Sequence, residues 1–470
     1  MADPINNGNS SEATISCTDM TGTKHRFSFR VNYPTQISSS HIPLLRLASV
    51  MPVMNYGLFT EEINIEFPVS KSDMSLLTDF LAIFSRDIFI NKFVRRKNPY
   101  ILPEFVPKAG DISEQNAKPL AKINSSSILV DTHISDEFDQ NSCGVLSSGG
   151  KESLLSYAML KEIGAKVHPL YVNESGGHWR TALPAYRKFL KEDPNTVRVW
   201  TNVDRLYLFM LDHMRIIRSN HRNIWSDTYP IRLCIFPVYV FILLPVFESK
   251  KIGNLLIGSE LDDPRSTSLY KGIKHYFGVY DQTQDFDLRM EKWYRKRMLG
   301  MHQWSAVRTI SGLVVERILT KRYPDLASVQ RSCHSCRSEK GNIVPCGKCS
   351  KCQGVLLFLL ANQVDPSIMG YRMEDTMALA SRVTKGGLRL DEDEREHSIH
   401  LAGLDSSLKG EIHTHVETIH INEPTSDLRL LPLQFRQKLI DLMGNYTKGI
   451  TKLEKDSWIP LQVPSIPTRP

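Results

Sequence analysis

Two groups of residues in this chain have the types and spacing to do chemistry. The first is the run Ser147-Ser148-Gly149-Gly150-Lys151-Glu152-Ser153. Adjacent glycines allow a tight turn and a close backbone approach to a ligand. A helix beginning directly after such a turn aims unpaired N–H groups and its positive dipole end at an anion. Ser148, Lys151 and Ser153 add hydroxyl donors and a cation, so the run reads as a phosphate cradle. It is not a Walker A loop, because Lys151 is followed by Glu152 rather than Ser or Thr. Nor does its glycine spacing match the dinucleotide fingerprint.

The second group is Cys333-His334-Ser335-Cys336, nine intervening residues, then Cys346-Gly347-Lys348-Cys349-Ser350-Lys351-Cys352. Thiolates two residues apart can converge on one tetrahedral ion, and four suffice. Cys346, Cys349 and Cys352 are expected ligands of a Zn2+ ion, with Cys333 or Cys336 as the fourth. A closed four-sulfur site leaves no position for water, so such a zinc is structural rather than catalytic.

Weaker candidates surround these two. Glu174, His178 and Arg180 follow an expected strand, on the ligand-binding side of a parallel sheet, although loops are polar in any case. His413, His415 and His420 fall in the alternating stretch Ile412–Ile421 and read as exposed positions on a strand rather than as metal ligands. Arg289, Lys292 and Lys296 share one helical face near Trp293 and Tyr294. That face could grip RNA or an acidic tail, but a solvated face is the simpler expectation.

The elements that must position these residues follow from hydrophobic periodicity. Gly144–Leu146, Val167–Val172, Val197–Trp200 and Ile252–Ile257 read as strands. Glu152–Ile163, Ala182–Leu190 and Leu206–Ile217 read as helices between them. Strands alternating with helices predict an α/β fold, a doubly wound parallel sheet. Residues 1–125 read as a small α+β module ending in a polar linker, Lys108–Ser127. Residues 126–365 carry both chemical groups, and residues 366–470 form a C-terminal extension. Within that extension, the charge run Asp391–Glu396 is expected on a solvated surface.

The chain has 470 residues, 58 Lys+Arg against 51 Asp+Glu, and 41% hydrophobic residues. This excludes a disordered chain, a collagen-like repeat and a disulfide-rich miniprotein, and a net charge of +7 does not demand a nucleic-acid partner. The N-terminus lacks a basic and apolar leader, so a cytoplasmic location is expected, where clustered thiols serve as metal ligands. Leu233–Phe247 is uncharged, but Arg232 and Glu248 bound it and Pro237 and Pro245 interrupt it. A spanning helix needs about 20 apolar residues, so a buried helix is expected and no membrane association.

Ser-Gly-Gly-Lys-Glu-Ser after a strand resembles the loop of the PP-loop ATP pyrophosphatases, whose pattern is S-G-G-x-D-S. The resemblance implies a PP-loop fold of the HUP type that splits ATP into AMP and pyrophosphate with Mg2+. Ser147 to Ser153 would hold the nucleotide, and Lys151 and Ser153 would act on it. About 180 residues further on, the C-G-x-C-x-x-C run resembles that of 7-cyano-7-deazaguanine synthase and its relatives. Tyr229-Pro230-Ile231-Arg232 before the apolar helix and Gly258-Ser259-Glu260-Leu261-Asp262-Asp263 after a strand also resemble segments of that family. The likeness covers roughly residues 131 to 361. It implies Asp263 as a catalytic group, with Arg232, Glu174 and Asp263 around the substrate. The chain departs from the family in carrying Glu152 for aspartate and Pro264-Arg265-Ser266-Thr267-Ser268 for the segment nearest the base.

The expected function is therefore an ATP-dependent carbon–nitrogen ligase. It would adenylate a small-molecule carboxylate, 7-deazaguanine-like, and let ammonia or an amine capture it, as in queuosine-type biosynthesis. Two alternatives stand beside it. One is conjugation of the activated carboxylate to an amine on another molecule or protein, as in bacterial antiviral defence. The other is a zinc-stabilised nucleic-acid binder with an inactive loop. A protein partner and a homodimer are both compatible with the sequence.

Overall fold

In the computed structural model the described residues are 1–95, 98–224, 231–262, 264–265, 269–384, 388, 390–404, 408 and 410–461. Tyr229, Pro230, Asp263 and Ser266–Ser268, all used in the sequence reading, lie outside them.

The core is one eight-stranded sheet. Its strands are β1 (Ile5–Asn6), β2 (Ser10–Thr18), β3 (Lys24–Asn32), β4 (Asp139–Leu146), β5 (Lys166–Asn173), β6 (Val197–Thr201), β7 (Ile252–Ile257) and β8 (His302–Trp304). The spatial order is β1-β2-β3-β6-β5-β4-β7-β8. From β6 to β8 all neighbours are parallel; β1, β2 and β3 continue the sheet as an antiparallel meander. The fold is thus α/β with a mostly parallel sheet.

Hydrophobic alternation explains why both sheet faces are covered. Along β7, Leu255 and Ile257 enter one core while Leu256 enters the other; along β5, Leu170 enters the first while Val167 and Tyr171 enter the second. A period of two places successive side chains on opposite faces. Helices α1 (Ile42–Val50), α2 (Lys71–Ile88), α5 (Val203–Asp212), α6 (Phe236–Lys250) and α7 (Gln284–Arg297) contribute to the first core. Helices α3 (Lys151–Glu162), α4 (Gly176–Glu192), α8 (Gly312–Arg322), α9 (Ser350–Ala361) and α11 (Leu433–Gly444) contribute to the second, and α10 (Glu392–Leu401) adds Ile399.

The apolar run at 233–247 folds as α6, with residues Pro237, Val238 and Val240–Phe247 all buried. Among the described residues no helix is long and apolar enough to cross a membrane.

Three segments make contacts that the sequence reading did not give. The N-terminal strands do not build a sheet of their own, because Trp200 and Thr201 of β6 pair with Asn32 and Val31 of β3. The polar stretch expected as a linker is partly ordered: Lys122–Ser125 pairs in parallel with Glu62–Ile65. The C-terminal extension packs on the second core, where Phe435 stacks beside Trp304 with ring centroids 6.0 Å apart. In each case contacts between distant segments, invisible to local periodicity, place the segment: the meander on the main sheet, Lys122–Ser125 in a separate two-stranded pair and the C-terminal extension on the second core.

Candidate functional site

Among the parallel strands the order in space is third, second, first, fourth, fifth, so the sheet reverses direction between β4 and β7. Helices leave to opposite sides there, opening a crevice at the strands' carboxyl ends where ligands bind in open α/β sheets. The Ser147–Ser153 loop leaves β4 at this point, and Gly258 to Glu260 leave β7 beside it. A cavity of about 530 Å³ occupies the crevice.

The loop is fixed at both ends. Ser147 N–H donates to the Leu170 carbonyl at 2.8 Å, and the Gly149 carbonyl accepts from Arg331 N–H at 2.8 Å. Gly149 turns the chain at φ +78°, a conformation that suits glycine. Helix α3 starts at Lys151, so its unpaired N–H groups lie at the loop, as an anion site requires. Ser147, Ser148, Gly150, Lys151, Glu152 and Ser153 all line the cavity.

Lys151 is 7% exposed, and its ammonium lies between two carboxylates: it contacts Glu152 and is 2.6 Å from Glu260. Burial works against its charge, but the two carboxylates outweigh burial and hold it above the usual lysine range. Glu260 is pushed up to about 7 by burial, with Lys151 opposing and Glu152 adding to the rise. Below Lys151 the fully buried Glu316 accepts from Gln330 at 3.0 Å, and burial pushes it up to about 7. Glu394 of α10 accepts the Leu313 N–H at 3.0 Å and is pushed up to about 8 by burial. The charge run read as a solvated surface is therefore partly interior, because Glu394 turns in to cap the start of α8.

The opposite wall is built around an arginine, two imidazoles and an aromatic ring. Arg232 is 9% exposed, 3.7 Å from Glu174 and 3.4 Å from Asp204, with its guanidinium 5.3 Å from the Tyr207 ring centre. His178 lies 3.9 Å from Glu174 and packs against His334, ring centroids 4.0 Å apart. Burial holds both imidazoles below the usual histidine range, His178 at about 4, so both are neutral at pH 7. Of the polar trio after β5, His178 lines the cavity, Glu174 is buried behind the wall against His178 and Arg232, and Arg180 is exposed on α4. Asp263 lies outside the described residues, so only Arg232 and Glu174 of the expected substrate group are placed.

The Sγ atoms of Cys333, Cys346, Cys349 and Cys352 lie within 4.8 Å of one another and could bind a metal such as zinc. Cys346 and Cys352 are 3.7 Å apart, close to the roughly 3.8 Å set by a tetrahedron with Zn–S bonds of 2.3 Å. Backbone N–H groups of Lys348 and Cys349 point at the Cys346 sulfur at 3.4 Å, and Cys346 N–H at that of Cys333 at 3.5 Å. Donors aimed at sulfur stabilise thiolates, which are the metal-binding form. Cys336 is outside the set: its thiol donates to the Cys333 carbonyl at 2.9 Å. The spacing left Cys333 and Cys336 open as fourth ligand; the hairpin Arg337–Glu339/Asn342–Val344 selects Cys333 by folding Cys346 back onto it.

The cysteine segment is also a wall of the cavity. Arg331, Ser332, His334, Ser350 and Lys351 line it, and Thr181 of α4 donates to the Cys333 carbonyl at 2.9 Å. Glu260, Arg331, His334, Lys351, Phe358, Leu388 and Leu390 were not assigned from sequence. Glu260 stood in a recognisable stretch after a strand, and His334 and Lys351 stood inside the cysteine motif, but nothing local placed any of these residues at the crevice, since only the chain's return brings them there.

The remaining candidates lie elsewhere. Arg289 contacts Asp79 and donates to the Tyr280 hydroxyl at 2.9 Å, so the basic face of α7 is partly neutralised. The strand expected over Ile412–Ile421 is shorter: Thr414–Glu417 is a 3-10 turn and only Ile419–Ile421 is extended. No family model, curated protein or solved structure matches this chain.

Proposed function

We propose that this cavity binds ATP, with Mg2+, and uses it to adenylate a small carboxylate that a nitrogen nucleophile then captures, as the PP-loop resemblance implies. One observation carries the reading: the Ser147–Ser153 loop, with buried Lys151, opens into a cavity at the sheet's reversal point, facing a wall that presents Arg232.

A carboxylate oxygen of the substrate attacks the α-phosphorus of ATP, the bond to the bridging oxygen breaks, and pyrophosphate leaves. The N–H groups at the start of α3, the hydroxyls of Ser148 and Ser153 and the Lys151 ammonium are the groups that stabilise the departing charge. The nitrogen of ammonia or an amine next attacks the acyl carbon and loses a proton as AMP leaves, giving an amide. A second activation of that amide would dehydrate it to a nitrile. Arg232 presents a guanidinium suited to a carboxylate, and the buried Glu174 carboxylate 3.7 Å away supports that guanidinium from behind. The cysteine-bound ion takes no part in these steps; it holds the wall carrying His334 and Lys351.

The test is pyrophosphate release from ATP with 7-carboxy-7-deazaguanine and with other carboxylates, each with ammonia and with amines, in wild type, Arg232→Ala and Glu174→Gln. Saturable release that loses carboxylate affinity in Arg232→Ala supports the reading. Release with other carboxylates but none with the deazapurine removes that substrate alone. No release with any carboxylate removes the ligase.

A further inference from the structure

We propose that Glu396, Glu411 and His413 form a second divalent-metal site of mixed nitrogen and oxygen donors, separate from the cysteine cluster and suited to Zn2+ or Mn2+. One oxygen of each carboxylate and one ring nitrogen of His413 lie within 4.8 Å of one another. Glu396 comes from α10, whereas Glu411 and His413 come from the segment that follows it, so an ion there would tie two stretches of the C-terminal extension together.

The histidine is oriented before any ion arrives. Its backbone N–H donates to Nδ1 of His397 at 3.1 Å. His397 is 2% exposed, and its Nε2 is 3.0 Å from Glu417 Oε1. The two ring nitrogens of His413 face different carboxylates: Nε2 is 3.1 Å from Glu396 Oε2, and Nδ1 is 3.5 Å from Asp393 Oδ2. A carboxylate on the far ring nitrogen is the usual support of a metal-bound imidazole, because it fixes the tautomer that leaves the other nitrogen's lone pair free. Asp393 is itself held, 2.5 Å from Arg265 and 3.3 Å from His415 Nε2.

The donor set decides the class of ion. Imidazole suits zinc and its neighbours, carboxylates suit harder ions such as manganese, and no thiolate is present. Three protein ligands leave positions for water, and Glu411 is exposed. Arg395 lies 3.3 Å from Glu396 Oε1, the oxygen that does not face His413. The competing arrangement is an ion pair between protonated His413 and Glu396, with no metal. The three histidines read from sequence as exposed strand positions are placed differently by the fold: His420 is fully buried with Nδ1 3.3 Å from the Thr309 carbonyl.

The site can be tested with the full chain carrying its cysteine-bound ion. ZnCl2 and MnCl2 are titrated separately into wild type, Glu396→Gln, His413→Asn and the control Glu392→Gln, whose side chain is 78% exposed. One additional saturable site is expected in wild type and in the control, with affinity at least about tenfold weaker in the other two. The same ion should raise the melting temperature of wild type but not of Glu396→Gln or His413→Asn. Absence of saturable uptake beyond the cysteine-bound ion, or uptake unchanged in both variants, overturns the proposal. If either variant folds poorly, Co2+ as the added ion decides on wild type alone. A second equivalent without thiolate charge-transfer bands supports the site, and one with them assigns the uptake to cysteine and overturns it.

Discussion

The ammonium of Lys151 lies 2.6 Å from the carboxylate of Glu260, although 108 residues separate them in the chain. Lys151 opens the helix after β4, and Glu260 leaves β7, the neighbouring parallel strand. The two meet because the sheet reverses its winding between these strands. The Lys151 ammonium is thereby oriented between Glu152 and Glu260 inside the crevice, and Ser305 steadies the β7 loop by accepting from Ser259 N–H at 3.2 Å and donating to the Ser259 carbonyl at 2.7 Å.

Removing a loop donor should abolish turnover without unfolding the chain. Lys151→Ala and Ser153→Ala are each expected to lower pyrophosphate release by about 10²–10³-fold, the usual cost of losing one charge-stabilising contact. Glu152→Asp keeps the carboxylate and should remain active. Wild-type release rates in both alanine variants would remove the assigned role of the loop.

Glu316 should make stability depend on pH. Its folded value of about 7 lies above the ordinary 4.5, so between those limits the folded chain holds a proton that the unfolded chain has released. Its contribution is fully present below about pH 4.5 and is lost as pH rises toward 7. Glu316→Gln keeps an acceptor for Gln330 and removes the titration. It should match wild type near pH 5 and exceed it at pH 8 by about 2–3 kcal/mol. Denaturant midpoints across that range test this, and equal midpoints at pH 8 would refute it.

The cysteines should separate into four and one. Serine at Cys333, Cys346, Cys349 or Cys352 is expected to lower metal content and melting temperature together, since a structural metal contributes folding free energy directly. Cys336→Ser should retain the metal, because Cys336 lies outside the four-sulfur group, its thiol donating to the Cys333 carbonyl at 2.9 Å and lying 3.9 Å from the Cys333 sulfur. Elemental analysis beside thermal melts distinguishes the two groups. Metal loss from Cys336→Ser with retention in Cys333→Ser would reverse the assignment.

Gly258 should tolerate no side chain. A Cβ there would lie 2.7 Å from Glu152 Cβ and 3.0 Å from Ser153 N, at the point where the end of β7 touches the start of α3. Gly258→Ala is expected to cost about 1–3 kcal/mol by overpacking and to slow pyrophosphate release by shifting the loop. A melt and a rate both unchanged would show that the contact relaxes freely.

Much of this protein was legible in local pattern. The strand at Ile252–Ile257, the helix under the sheet and the loop between Leu146 and Lys151 follow from spacings of two, three and four residues, which are fixed by backbone geometry. The cysteine trio follows from the reach of neighbouring thiolates toward one ion. What the sequence could not determine was which distant segments meet. Cys333 over Cys336, Glu260 on Lys151, Glu394 turned inward and the N-terminal meander on β6 all depend on strand register and shared apolar surface. Those are properties of pairs of segments: a loop is polar and glycine-rich whatever faces it, and only the packed sheet decides which carboxylate lies within 3 Å of its lysine.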